Sequence, residues 1–194
     1  MQIADGKGTG KKAQVTSEYK MSTDAVVKRA TAHVSLEYGD AYTIMGEAAE
    51  ANATQQILYI QNQDPDKLLV VETIDLECVD LAASAAATVY MDVVFDLLWT
   101  ADGTAVTAVN LNRTSTLLPL IAAYDTDPTL GAGAVTGPII KWLPESADPV
   151  PQRYELFGSV ILGYDDAITV RLISTGATGT GKALVTFYML EPLE

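Results

Sequence analysis

Alternation of apolar and polar residues near the end of the chain most constrains what this sequence can fold into. Residues 167–173 (AITVRLI) and 183–190 (ALVTFYML) carry apolar side chains at alternate positions, a period typical of β-strands with one buried face. Residues 153–162 continue the pattern. The GYDD of residues 163–166 and the glycine-rich STGATGTGK of residues 174–182 are typical turn sequences. The stretch therefore predicts three antiparallel strands, the last two joined by a glycine-rich hairpin loop.

The middle of the chain adds further strand candidates. Between Val89 and Trp99 every odd-numbered residue is apolar, which predicts a strand with Trp99 on the inner face. Asp92 and Asp96 lie four residues apart and would share one face of a helix, but the unbroken period of two favours the strand. The other predictions are a helix or loop at 81–87, loops at 46–55 and 111–137, and strands at 41–45, 57–60, 68–79, 105–110 and 138–142.

Many short strands separated by turn signals indicate a β-sandwich. Hydrophobic residues make up 48% of the chain and charged residues 19%, a balance typical of a folded globular protein. We therefore predict an all-β fold, a jelly-roll-like antiparallel β-sandwich over residues 39–194.

The first 38 residues differ from the rest in charge. They hold six Lys/Arg and four Asp/Glu, a net charge of +2. Since the whole chain has a net charge of −13, residues 39–194 have a net charge of −15. Residues 1–12 are glycine-rich, residues 13–21 alternate like an extended strand, and residues 22–27 suit a short helix or a strand equally. We predict that residues 1–38 form an extended N-terminal docking arm, because a basic leader on an acidic body suits attachment elsewhere.

Composition also excludes several classes of function. An acidic body repels nucleic acid and anionic membranes, since phosphate binding needs clustered Lys and Arg. No apolar run approaches the roughly 20 residues that span a bilayer, and the first residues lack the apolar core of a secretory signal. A single cysteine, Cys78, permits no internal disulfide, and a single histidine, His33, excludes most two-histidine metal sites.

Several motifs imitate chemical sites. Residues 176–182 (GATGTGK) match the start of a phosphate-binding loop, but Ala183 stands where the magnesium-binding hydroxyl belongs and a strand follows instead of a helix. His33 and Cys78 lack visible catalytic partners, which predicts a surface residue and a buried thiol. Three acidic pairs could bind a cation but lie in turns, where Asp bonds to its own backbone: Asp64/Asp66, Asp125/Asp127 and Asp165/Asp166. We predict no catalytic site, no metal and no cofactor.

Short motifs at both ends of the chain carry a family resemblance. They are Ile3-Ala4-Asp5-Gly6, Gly8-x-Gly10, Ala13-x-Val15, Ser22-Thr23-Asp24-Ala25-Val26, Gly39-Asp40-Ala41-Tyr42, the LYIQN of residues 58–62 and the LGYDDAITV of residues 162–170. With these the chain resembles small virion proteins of tailed bacteriophages, of the head decoration or cement type. Residues 80–150 take no part in the resemblance.

The resemblance implies a non-enzymatic protein that is made in the host cytoplasm and binds the outside of the assembled head. Its expected partners are the major capsid protein and copies of itself, as a homotrimer, with neither nucleic acid nor membrane. The expected contacts lie in the arm, at Ile3, Lys11, Lys12, Val15, Tyr19, Val26 and Val27. Two alternatives stay open: a structural protein of the tail, neck or fibre base, and a carbohydrate-binding jelly roll that uses exposed aromatic residues.

Overall fold

A computed structural model describes residues 2–4, 12–15, 21–22, 30–49, 54–95, 98–131, 138–144 and 150–192. One helix, α1 (Ala30–Glu37), and fourteen strands lie in these ranges. The strands are β1 (Gln2–Ala4), β2 (Lys12–Val15), β3 (Met21–Ser22), β4 (Ala41–Ala49), β5 (Thr54–Asn62), β6 (Leu68–Phe95), β7 (Trp99–Ala101), β8 (Thr104–Ala105), β9 (Val109–Asn110), β10 (Ile121–Asp125), β11 (Thr129–Leu130), β12 (Ile140–Trp142), β13 (Gln152–Leu162) and β14 (Ala167–Leu190).

Two long strands, β6 and β14, organise the body. They pair antiparallel along almost their whole length, from Ile168 opposite Phe95 to Leu190 opposite Leu68. On its other side β14 pairs with β5 near its start and with β4 near its end. The outer edge of β6 pairs with β13 and β12.

The ends of β14 show that this sheet is folded double. A straight strand of 24 residues would be about 76 Å long, at about 3.3 Å per residue. Yet Ala167, at the start of β14, follows Leu162 of β13 by only five residues. Leu162 pairs with Leu69 of β6, and Leu69 also pairs with Met189, near the end of β14. The two ends of β14 are therefore close in space, and the sheet forms two layers.

We name the two layers by the parts of β6 and β14 that they contain. Layer A holds β13, residues 68–79 of β6, residues 180–190 of β14, β4 and β9. Layer B holds β12, residues 89–95 of β6, residues 167–174 of β14, β5, β10 and β8. One apolar cluster draws on both layers, including Leu76, Val185 and Phe187 from layer A and Leu58, Met91 and Val170 from layer B.

Small residues mark the segments where β6 and β14 pass from one layer to the other. Residues 80–88 of β6 read DLAASAAAT and residues 174–181 of β14 read STGATGTG. Gly181 shows why bulk is limited there, since a Cβ on it would lie 2.6 Å from Ile57 Cδ1 of layer B. A side chain at this position would therefore force Ile57 to move.

The prediction of an all-β sandwich is confirmed, whereas the jelly-roll topology is not. Four local predictions were wrong. The predicted loop at 111–137 contains strands β10 and β11. The glycine-rich residues 174–182 form no hairpin loop but the middle of β14, residues 81–87 are strand, and much of 46–55 belongs to β4 and β5. In each case neighbouring strands supply backbone hydrogen bonds that override the low strand propensity of small residues.

Two further differences concern side chains and the arm. The strand predicted through Trp99 ends at Phe95, so Trp99 is not on the inner face and its side chain is 38% exposed. Residues 30–37, predicted as part of an extended arm, form α1 and pack on layer A through Val34.

Candidate functional site

The predicted arm contains a small antiparallel sheet of its own. Strand β2 pairs with β1, which places Ile3 opposite Ala13 and Lys12 opposite Ala4. Strand β2 also pairs with β3, with Val15 opposite Met21. These three strands form a sheet separate from that of the body. The other predicted arm contacts, Lys11, Tyr19, Val26 and Val27, lie outside the described residues.

Helix α1 connects the arm to the body and is held at both ends. Near its start the backbone N–H of Thr31 donates to Glu72 Oε2 of β6 at 3.2 Å, which satisfies one of the amide groups that a helix leaves unpaired. At its end the N–H groups of Tyr38 and Gly39 both donate to the Val34 carbonyl at 2.9 Å. Gly39 has φ +67°, the left-handed conformation that commonly ends a helix.

A groove of about 340 Å³ lies beside α1, at the base of the arm. Its walls are mostly apolar, with one basic and two acidic side chains. The lining residues are Val34, Tyr38, Asp40, Lys67, Leu117, Met189, Leu190 and Glu191.

An ion pair forms the polar part of this groove. Lys67 Nζ lies 2.5 Å from Asp40 Oδ2, and the Tyr42 hydroxyl donates to Asp40 Oδ1 at 2.7 Å. The hydrogen bond to Asp40 raises the pKa of Lys67, which favours the protonated amine. Burial, together with the bond to Asp40, raises the pKa of Tyr42 far above its ordinary value.

The loop after β9 contributes Leu117 to the lining of the groove and is fixed to the end of α1. Asn110 Nδ2 and Ser115 Oγ both donate to the Gly39 carbonyl, at 2.8 and 3.0 Å. Asn112 Nδ2 donates to the Ser35 carbonyl at 2.8 Å. These bonds hold a leucine-rich loop, residues 111–120, in a set position against the helix.

Large apolar side chains are exposed around this groove. Tyr38 is 64% exposed and Leu118 is 75% exposed. The name arm-root surface is used here for the exposed residues Tyr38, Leu117 and Leu190, which line the groove, together with the exposed Leu36 and Leu118, which lie close to them in sequence. Exposed apolar groups clustered in this way mark a contact surface more often than isolated ones do.

A second exposed feature is a pair of stacked aromatic rings. The rings of Trp99 and Tyr124 lie 4.4 Å apart with an interplanar angle of 5°, and Trp99 Nε1 donates to the Asp102 carbonyl at 2.9 Å. The indole is thus held in one orientation, with Tyr124 stacked on one of its faces. The alternation that extended to Trp99 in the sequence concealed this feature.

The motifs that imitate chemical sites have structural explanations. GATGTGK lies within β14 and opens no helix. Cys78 is buried, as predicted. His33 is exposed, as predicted, and lies 3.1 Å from Glu37 on the same helix. Two of the acidic pairs bond to the backbone of their own turns: Asp64 Oδ1 accepts from Asp66 N–H and Asp166 Oδ2 from Gly163 N–H. In the third pair Asp127 Oδ1 accepts from the N–H of Gln56, in strand β5.

Two kinds of feature are absent from the described ranges. Among these residues no group of three or more His, Cys, Asp or Glu side chains is placed to hold a metal ion. No helix among them is long and apolar enough to cross a membrane.

Comparison of the chain with protein-family models, with curated proteins and with solved structures finds no match.

Proposed function

We propose that this chain is a non-enzymatic structural protein of a tailed phage, which binds the outside of the assembled head and stabilises it. Its partners in this role are the major capsid protein and other copies of itself, as a homotrimer. The observation that carries the proposal is the arm-root surface, which lies where the predicted arm joins the body. A helix fixed at both ends and an apolar groove beside it suit a protein that docks on another protein.

The charge distribution supports this assignment over nucleic-acid or membrane binding. The body carries almost all of the negative charge, whereas the first 38 residues are weakly basic. Contact with a protein shell through the arm and the arm-root surface keeps the acidic body outward, and its net charge then limits aggregation between particles.

Deletion of residues 1–20 tests the docking role of the arm. The truncated protein keeps α1 and both layers, so it is expected to fold. Its far-ultraviolet circular dichroism spectrum should remain that of a β-sheet protein. It is expected to lose binding to undecorated capsids in a cosedimentation assay, because the apolar arm residues Ile3, Val15 and Tyr19 no longer contribute burial. Decoration at full occupancy by the truncated protein would show that the arm is not the docking element.

A matched pair of substitutions tests the arm-root surface separately. Leu118→Asp places a charge in this surface, and we expect it to weaken capsid binding, since a charged group is costly to bury in an interface. Tyr164→Asp makes a similar change at another exposed position, in the turn before β14, and is the control. Equal binding by both variants would remove the arm-root surface from the interface.

Particle labelling separates a head protein from the tail, neck or fibre-base alternative. Gold-labelled antibody against the protein is expected to cover the head of intact virions. Label confined to one vertex or to the tail would favour the alternative position.

The stacked Trp99–Tyr124 pair favours a second candidate, a carbohydrate-binding role. An exposed, rigidly held indole offers the flat apolar face on which a sugar ring can stack. The test is a glycan array with the wild type and with Trp99→Ala. Hits that the substitution abolishes would support this role, and an array without hits would remove it.

A further inference from the structure

A buried carboxylate lies at the start of helix α1. Glu72, on β6, is 8% exposed, and its Oε2 accepts the backbone N–H of Thr31 at 3.2 Å. Burial of a carboxylate is costly unless the group is paired or hydrogen-bonded. The buried carboxylates of Asp40 and Asp92 meet this cost with ion pairs, whereas Glu72 is bonded to the backbone of a helix.

The position of Glu72 follows from a bulge in β6. Thr73 pairs with Thr186 of β14 and Val71 pairs with Phe187, so Glu72, between them, has no residue opposite it in β14. The register between β6 and β13 shifts at the same place. A bulge of this kind bends its strand and re-aims a side chain, and bulges are commonest where such re-aiming has a use.

The bulge also changes which residues of β6 face the core. Before it the core residues are the odd-numbered Leu69 and Val71, and after it they are the even-numbered Ile74 and Leu76. Glu72 stands at this change, two residues after Val70, which packs under α1. The sheet thus directs one acidic side chain to the helix and keeps apolar residues in the core on both sides of it.

Helix α1 depends on contacts of this kind because it is short. It has eight residues, fewer than the about 12–15 that an isolated helix needs in water. No acidic residue stands in its first turn, so the helix itself supplies no negative charge for the unpaired amide groups and the dipole at its start. Glu72 supplies that charge from the body, whereas Asn112 holds the other end of the helix at Ser35.

We propose that Glu72 is the positioning residue of the arm: its carboxylate holds the first turn of α1 on layer A and so fixes where the arm leaves the body. Without this contact the start of the helix is released, while Val34 and the loop after β9 keep its end in place. The arm is then less preorganised, and its docking costs more conformational entropy. The contact itself is independent of the proposed function; its effect on capsid binding rests on that function.

Amide hydrogen exchange of the purified full chain, measured by mass spectrometry, tests the contact without capsids. We expect Glu72→Ala to accelerate exchange in α1 by about tenfold or more, because hydrogen bonds to charged groups are among the stronger ones in proteins. Glu72→Gln keeps an oxygen acceptor without the charge and should lie between the wild type and Glu72→Ala. Glu77→Ala is the control, since Glu77 lies on the same strand opposite Lys182 and should leave α1 unchanged.

Two exchange results would overturn the proposal. One is unchanged exchange of α1 in Glu72→Ala. The other is equal acceleration in α1, β6 and β14, which would mean that Glu72 supports the whole fold and not the start of the helix.

Cosedimentation with undecorated capsids tests the consequence for docking. We expect Glu72→Ala to bind severalfold more weakly than the wild type, with partial rescue in Glu72→Gln and full binding by Glu77→Ala. Wild-type affinity in Glu72→Ala, despite faster exchange of α1, would overturn the positioning role. A wild-type protein that does not bind capsids would contradict the proposed function instead, and the exchange data would still decide whether Glu72 holds α1.

Discussion

The two layers of the sandwich each carry an Arg–Asp pair across neighbouring antiparallel strands, and the two pairs differ in their access to water. In layer B, Arg171 Nε and Nη2 donate to the two carboxylate oxygens of Asp92 at 2.8 and 2.7 Å. In layer A, Arg153 makes the same two bonds to Asp75 at 2.6 and 2.8 Å. The geometry is alike, yet the side chain of Asp92 is 3% exposed and that of Asp75 is 20% exposed.

The difference reflects how each layer is covered. On the outer face of layer B, Tyr59, Val94 and Thr169 are fully buried, so this layer has buried residues on both faces. In layer A, residues 182–186 alternate between buried and half-buried, and helix α1 covers only the end near Val70 and Tyr188. An ion pair of one geometry therefore has two roles, a buried electrostatic link in layer B and a solvated one in layer A.

Breaking the layer B pair is expected to have the largest effect. Arg171→Ala leaves the Asp92 carboxylate buried without its partner, and such a loss costs about 3–5 kcal/mol, a large share of the stability of an ordinary domain. Urea unfolding at neutral pH measures this loss in the free energy of unfolding. An Arg171→Ala variant within 1 kcal/mol of the wild type, on the order of a surface pair, would mean that water reaches Asp92 in solution.

Replacing both members sharpens the same comparison. Asp92→Leu combined with Arg171→Leu removes the charges together, and buried ion pairs replaced by apolar residues are often neutral or even stabilising. We expect the double variant to be clearly more stable than Arg171→Ala, in a double-mutant cycle measured by the same urea unfolding. A double variant as unstable as the sum of its single changes would indicate that packing, and not the unpaired charge, sets the cost.

The contrast between the layers also explains how far the sequence could predict this fold. In layer A the alternation of Ala183, Val185 and Phe187 indicates a sheet with one buried face, and the strands of this layer were predicted. In layer B the run of residues 57–60 is buried on both faces, and a short apolar run of this kind indicates a strand but not its layer. Residues 80–88 could not be predicted, because their small side chains show no period and only pairing with β14 makes them strand.

The candidate site was less predictable than the fold. The arm-root surface joins Tyr38, Leu117 and Leu190, which are far apart in sequence and meet only because the sheet folds double. The bulge in β13, where Phe157 and Gly158 both have a positive φ, interrupts a regular strand pattern, and the glycine is its one local sign in the sequence. The arm residues rest on the sequence and the resemblance, and their docking role stays a prediction.

A third ion pair, Lys67–Asp40, is intermediate in exposure between the Arg–Asp pairs of the two layers. We expect its contribution to stability to be lost at high pH. The folded-state pKa of Lys67 is raised above its ordinary value of 10.5, chiefly by the hydrogen bond to Asp40, so its contribution is present below that pH and is lost as pH rises through the folded value. Tyr42 has the same sign, because burial and Asp40 raise its pKa from 10.0. Thermal melts should therefore show stability falling above about pH 10. Lys67→Met should reduce this fall; an unchanged alkaline profile in that variant would exclude Lys67 as a source.

The smallest effect is expected for the layer A pair. Arg153→Ala removes a guanidinium that is more than half exposed, and water then solvates the Asp75 carboxylate in place of Arg153. The urea midpoint of this variant should match the wild type at high salt, where surface charges are screened, and differ little at low salt. A loss of stability as large as that of Arg171→Ala, at either salt concentration, would show that water does not replace Arg153 at Asp75.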